Sequence, residues 1–198
     1  MKEKTSRKGI KINGMEYQEF SDEKLVSYVR SKNQEAYAEV MLRYQEKLMR
    51  YARSIVNDEQ TATDVVQNAF IKAFKNLQGF DTKRKFSSWI YRIAHNEAMN
   101  EIKKSRRLIS LEKNAWLTTK MQSEEDIEED YTKKELKIMM KKAIEKVDIK
   151  YREPLVLYYI DEKSYEEIGE ILRIPMGTVG TRIGRGKKKL KEEYAREK

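Results

Sequence analysis

Glu59-Gln-Thr-Ala-Thr-Asp-Val-Val-Gln-Asn-Ala-Phe-Ile-Lys-Ala-Phe-Lys-Asn-Leu-Gln78 is the stretch on which the fold turns. Val66, Ala69, Phe70, Ala73, Phe74 and Leu77 recur at i, i+3, i+4 and i+7, the spacing of one helix face. Gly79 follows as a stop. This pattern predicts a helix from about residue 59 to 78, with those six side chains turned inward. Its outer face carries Asp64, Gln67, Asn68 and Ile71. An acid, two amides and an uncovered isoleucine make a docking surface, although a single exposed apolar residue is also ordinary.

The same periodicity recurs on both sides. Ser21 can cap a helix from Asp22 to about Arg30, and Asn33 a second one with Ala36, Val40, Leu48 and Ala52 inward. A fourth helix starts near Phe86, buries Trp89, Ile90, Ile93 and Ala94, and runs to about Arg107. The pattern is lost from Ser110 to Tyr131, where Glu124, Glu125, Asp126, Glu128, Glu129 and Asp130 cluster as in a linker. Thr132-Lys-Lys-Glu135 is a capping box for a helix to about Val147. Another follows from Asp148 to Ile160 with Pro154 inside it. A second box, Ser164-Tyr-Glu-Glu167, opens a short helix to Leu172. Arg173-Ile174-Pro175 turns the chain, and a last helix runs from about Met176 to Tyr194. β-Branched alternation is absent, and Gly and Pro number 8 and 2. The expected fold is therefore all-α: two small helical domains joined by a flexible acidic linker. The boundaries are a basic flexible tail over 1–20, a helical bundle over 21–109, the linker over 110–131, and a helix-turn-helix domain over 132–198.

Composition narrows the chemistry. The 198 residues include no Cys and one His, so disulfides, thiolate catalysis, Cys-ligated zinc and two-histidine metal sites are excluded. No cofactor or metal is expected. No run approaches the ~20 apolar residues of a membrane span, and no apolar segment follows the basic start. A cytoplasmic protein without direct membrane insertion is the simple expectation. Lys plus Arg number 42 against 33 Asp plus Glu, a net charge of +9. Residues 1–110 hold 22 basic and 14 acidic groups (+8), residues 111–132 hold 2 and 7 (−5), and residues 133–198 hold 18 and 12 (+6). Two basic blocks flanking an acidic strip suit a polyanionic partner.

Two segments could meet nucleic acid. In the last helix Val179, Ile183, Gly186 and Leu190 form an inner face. Thr181, Arg185 and Lys188 lie opposite, with Thr178 on one shoulder and Arg182 and Lys189 nearby. Short hydrogen-bonding groups and cations suit a helix entering the major groove, and Lys187–Lys189 and Lys191 can reach phosphates. A solvated lysine run would look similar. The second segment is Gly79–Phe86, with Phe80, Lys83, Arg84 and Lys85, continued by Arg92, Asn96, Met99, Lys103 and Arg106 along the fourth helix. Cations interleaved with aromatics suit single strands. The plainer alternative is that Phe80, Phe86 and Trp89 pack the core; for Trp89 this is the favoured reading. His95 is expected at the surface or rim.

Asp64-Val-Val-Gln-Asn-Ala-Phe70, Phe80-Asp81 and Phe86-Ser-Ser-Trp-Ile-Tyr-Arg-Ile-Ala-His-Asn96 together resemble region two of bacterial sigma factors. Ser164–Leu172 and Pro175-Met-Gly-Thr-Val-Gly-Thr-Arg182 resemble region four. The similarity is to the extracytoplasmic-function (ECF) group of the sigma-70 family, and it spans nearly the whole chain. It implies a dissociable transcription initiation factor that binds core RNA polymerase and directs it to specific promoters, with no enzymatic activity of its own. On this resemblance Asp64, Gln67, Asn68 and Ile71 dock on the β′ clamp helices. The family usually has an acid where Asn68 stands. Phe80, Lys83, Arg84, Lys85, Arg92, Asn96, Asn100 and Lys103 fall where the unpaired minus-ten strand of promoter DNA is captured. Thr178, Thr181, Arg182, Arg185, Lys188 and Lys189 fall where the minus-thirty-five element is read, and region four also docks on the β flap. The group is commonly held inactive by an anti-sigma factor, often membrane-anchored. Gly180, Gly184 and Gly186 depart from the family, which usually has basic or bulky residues at the first two positions. Interior glycines forgo about 3 kcal/mol of helix propensity in all.

Two other functions fit parts of the sequence. A helix-turn-helix regulator acting without polymerase would need the last helices but not the Asp64–Ile71 face. A carboxylate nuclease would need Glu166, Glu167 and Glu170 around a metal, but acids in the first turns of a helix are favoured by its dipole alone.

Overall fold

The computed structural model describes residues 11–12, 15–56, 58–111, 139–140 and 142–197. The capping box at Thr132–Glu135 and the acidic strip lie outside these residues.

The chain enters through a small antiparallel pair, β1 (Lys11–Ile12) and β2 (Met15–Glu16), with Lys11 opposite Glu16. A 3-10 turn over Tyr17–Glu19 follows. The expectation of a tail through residue 20 fails at this point. Tyr17 is buried, and its ring meets Phe20 and Tyr28 at 5.8 and 5.3 Å. Arg43 fixes the segment, donating to the carbonyls of Tyr17 and Phe20 at 2.5 and 2.8 Å, and pairing with Asp22 and Glu39. One guanidinium fork thus satisfies two backbone acceptors that burial would otherwise strand.

Helices α1 (Asp22–Ser31), α2 (Tyr37–Val56), α3 (Glu59–Lys75) and α4 (Phe86–Leu111) build the N-terminal bundle. Ser21 and Asp58 cap α1 and α3 through Lys24 N and Thr61 N. Asn33 caps a 3-10 turn that leads into α2. The α3 helix stops earlier than the spacing predicts, because Leu77–Gly79 tighten into a 3-10 turn. Its inward row is Val66, Ala69, Phe70 and Ala73, with Leu77 buried beyond it.

The C-terminal bundle comprises α5 (Ile149–Tyr159), α6 (Tyr165–Leu172) and α7 (Met176–Glu197). Asp148 caps α5 through Lys150 N. At α6 the Ser164 hydroxyl accepts from Glu167 N at 3.2 Å, and the Glu167 carboxylate accepts from Ser164 N at 2.9 Å. Arg173 ends α6 in the left-handed region at φ 54°, which allows the sharp turn into α7. A Cβ on Gly169 would meet the Ile174 carbonyl oxygen at 2.9 Å, so this turn also needs glycine.

The two bundles touch. The α2 helix packs on α5, and α4 on α6. Their buried side chains form one cluster, from Leu48, Tyr51, Ile90 and Ala94 through Leu155, Leu157, Ile168 and Ile171 to Val179 and Ile183.

Candidate nucleic-acid and polymerase interfaces

Asp64, Gln67, Asn68 and Ile71 are all exposed along one side of α3, with Ile71 at 50 %. Phe74 joins them at 41 % instead of facing the core. Its ring rests on Tyr37 at 4.9 Å, at the end of α3 where no further helix covers it. The sequence held a signal for this, since Phe74 stands three residues beyond Ile71 on the same row. Met41 and Leu42 on α2 are exposed as well.

The segment between α3 and α4 is held at both ends by α1. Arg30 Nη1 donates to the Phe80 carbonyl at 3.0 Å. Phe86 N donates to Glu23 Oε1 at 3.0 Å. Lys85 stands before the first residue of α4 and has no acceptor with which to cap it, so Glu23 supplies the cap from another helix. Between these anchors, Asp81 accepts from the backbone N–H groups of Lys83 and Arg84, both at 3.0 Å. That turn leaves Lys83, Arg84 and Lys85 exposed. Neither Glu23 nor Arg30 is among the sequence-derived site residues. Their partners lie about fifty and sixty positions away, beyond the reach of any local pattern.

Phe80 requires a correction. It is 3 % exposed and packs against Phe86 and Trp89 at 5.4 and 5.1 Å. It serves the core and presents no face to a base. Trp89 is half-buried in the same cluster. Along α4, Asn96, Asn100 and Lys103 are exposed and Arg92 is half-buried. Asn100 and Lys103 line a shallow depression with Lys104 and Arg107. Burial lowers the Arg92 pKa, Arg173 and Arg84 lower it further, and Glu170 acts in the opposite sense. His95 lies at a rim, and its Nδ1 donates to Glu153 at 2.6 Å.

On α7, Thr181, Arg185, Lys188 and Lys189 are exposed, and Thr178 and Arg182 half-buried. Val179, Ile183 and Gly186 are buried on the other side, which is the division expected of a groove-facing helix. Among the described residues no group of His, Asp and Glu could hold a metal ion.

A bundle with an uncovered α3 face, packed against a basic helix-turn-helix, has counterparts among known proteins. The family model for sigma-70 region 2 matches residues 40–108, and that for sigma-70 region 4 matches residues 137–190. The ECF RNA polymerase sigma factor SigW of Bacillus subtilis (strain 168) is 36 % identical over 177 residues, 86 % of this chain and 95 % of its own. The chain belongs to the ECF sigma factors of the sigma-70 family. Like them it is a transcription initiation factor that gives RNA polymerase its promoter preference and is not an enzyme. The fold of an ECF sigma factor is also that of two solved structures. CnrH in complex with the cytosolic domain of CnrY has a TM-score of 0.63 at 28 % identity, over 86 % of this chain and 95 % of that one. RpoE of Bartonella quintana, solved with the anti-sigma factor NepR, has a TM-score of 0.66 at 22 % identity, over 79 % and 95 %. In this sigma factor the α3 face and the α4 ridge fall inside region two, and α6 and α7 inside region four.

Proposed function

We propose that this sigma factor docks on the β′ clamp helices of core polymerase through Asp64, Gln67, Asn68, Ile71 and the neighbouring Phe74. The observation that carries this reading is the α3 face itself, which no other described element covers and which ends on two exposed apolar side chains. Lys83, Arg84, Lys85, Arg92, Asn96, Asn100 and Lys103 then take the unpaired minus-ten strand. Thr178, Thr181, Arg182, Arg185, Lys188 and Lys189 read the minus-thirty-five element, while region four rests on the β flap. Phosphate contacts from the lysines supply affinity and register, and the shorter side chains read base edges. The factor works in the cytoplasm, and an anti-sigma factor restrains it, anchored in the membrane. Support for that partner is the company of the similar structures, CnrH with the cytosolic domain of CnrY above all.

Pull-down with core polymerase tests the docking surface. Wild type is expected to be retained, and the double variant Asp64→Arg, Ile71→Glu to be lost. Equal retention of both, or of neither, overturns it.

A further inference from the structure

Tyr165, the first residue of α6, leans on α7. Its Cε2 stands 3.4 Å from the place a Cβ would take on Gly180, so the ring occupies the space beside that bare Cα. Tyr158 of α5 meets the ring edge-on at 5.2 Å between centroids and braces it there. Farther along the same side of α7, nothing stands within 4 Å of a Cβ on Gly177 or Gly184. Both are exposed, as is Thr181 between them. The Thr181 hydroxyl donates to the Gly177 carbonyl at 3.0 Å, and a hydroxyl has one proton to give. Toward a ligand this side chain therefore offers a methyl group and a lone pair, and no donor.

We infer that Tyr165 and Thr181 wall a slot, floored by the bare backbone at Gly180 and Gly184, that takes the C5-methyl group of a thymine in the minus-thirty-five element. This rests on the reading of α7 as the helix in that groove, and adds which base feature is read there. Of the four bases only thymine shows an apolar group in the major groove. The purine N7 and O6 acceptors need a donor, which Thr181 has already used and which the floor lacks, because the interior amides of α7 are spent within the helix. The lone pair on Thr181 suits the N6 amino group of the adenine paired with that thymine, so one A·T pair satisfies both parts of the site. From Gly180 to Gly184 is about 6 Å of helix, and successive base pairs stand about 3.4 Å apart. The slot therefore spans one or two of them. A side chain at Gly184 would fill it. Arg185, beyond Thr181 on the same exposed side, is left for a guanine, whose two acceptors match a guanidinium.

Deleting the methyl group alone tests this. The probe is a duplex carrying a minus-thirty-five element mapped for this factor, with each thymine on either strand replaced in turn by deoxyuridine. Relative affinities are read by competition for holoenzyme assembled from core polymerase and the full chain. At one or two positions wild type should bind the deoxyuridine duplex about three- to fourfold more weakly, the worth of one buried methyl group. Deoxyuridine placed outside the element should change nothing. Thr181→Ser keeps the hydroxyl and removes the methyl wall. Gly184→Gln lays a polar side chain across the floor, and Tyr165→Ala removes the ring. Each should bring the ratio of the two affinities toward one. A loss of stability or of phosphate contacts would weaken both duplexes together and leave the ratio alone. The proposal is overturned if wild type senses the methyl group at no thymine of the element, or if the ratio persists in all three variants. If Arg185→Ala holoenzyme keeps wild-type affinity and selectivity for the intact element, the reading of α7 itself fails instead.

Discussion

A Cβ built on Gly186 would lie 2.9 Å from Leu155 Cδ1 and 3.1 Å from the Tyr151 carbonyl oxygen, which is the reason α7 can cross α5 so closely. At Gly184 nothing stands within 4 Å, and at Gly180 only the Tyr165 ring approaches, at 3.4 Å. Three glycines that look alike in sequence therefore have different consequences. Gly186→Ala should destabilise the chain by about 1–3 kcal/mol through overpacking. Gly184→Ala should stabilise it by up to about 1 kcal/mol through helix propensity. Urea melts of the full chain check both, and shifts of the same sign would contradict the packing argument. The exposed side chains of α7 separate in the same manner. Arg185→Ala should weaken minus-thirty-five binding and relax preference at one base pair by about 1–3 kcal/mol, whereas Lys189→Ala should weaken all sequences evenly and reduce the salt slope by about 1. Anisotropy titrations over a salt series read both effects. Unchanged affinity and selectivity in Arg185→Ala would count against α7 as the reading helix.

Among the elements, α1 has the least obvious role. It lies outside the matched region-two residues, yet Arg30 and Glu23 clamp the two ends of the segment that presents Lys83, Arg84 and Lys85. Glu23 replaces the cap that Lys85 cannot provide, and its charge suits the N-terminus of α4. Glu23→Ala should cost about 0.5–2 kcal/mol and speed hydrogen exchange at the Phe86 amide. Glu23→Gln keeps the acceptor and should restore slow exchange. If both variants exchange alike, the carboxylate oxygen is not the cap. Other helix starts were legible: Ser21 and the Ser164–Glu167 box each stand where their side chains accept the expected N–H groups. The same local rules fail for α4, whose cap arrives from a different helix.

At the scale of the whole molecule, α6 packs on α4 and α5 on α2, and Glu153 and Asp161 carry polar links between the bundles. The double variant Glu153→Ala, Asp161→Ala should therefore speed amide exchange in α6 and in the first turns of α4. Raising salt should add to this, since the Lys85–Glu167 pair has an exposed ammonium and is screened. Equal protection in variant and wild type would mean that apolar packing alone holds the bundles together. Helical periodicity, caps and charge order were enough to place the seven helices, the exposed row of Asp64, Gln67, Asn68 and Ile71 on α3 and the basic exposed side of α7, because each depends on residues a few positions apart. Phe74 was assigned inward and Phe80 outward, and both assignments reversed, because the choice depends on which distant element fills the space beside a ring. The folding of residues 15–20 under Arg43, the clamp from α1 and the packing of α6 on α4 all join positions twenty or more apart. Periodicity carries no information about such pairs. They follow only once the packed helices bring a guanidinium to a carbonyl or a carboxylate to a lysine.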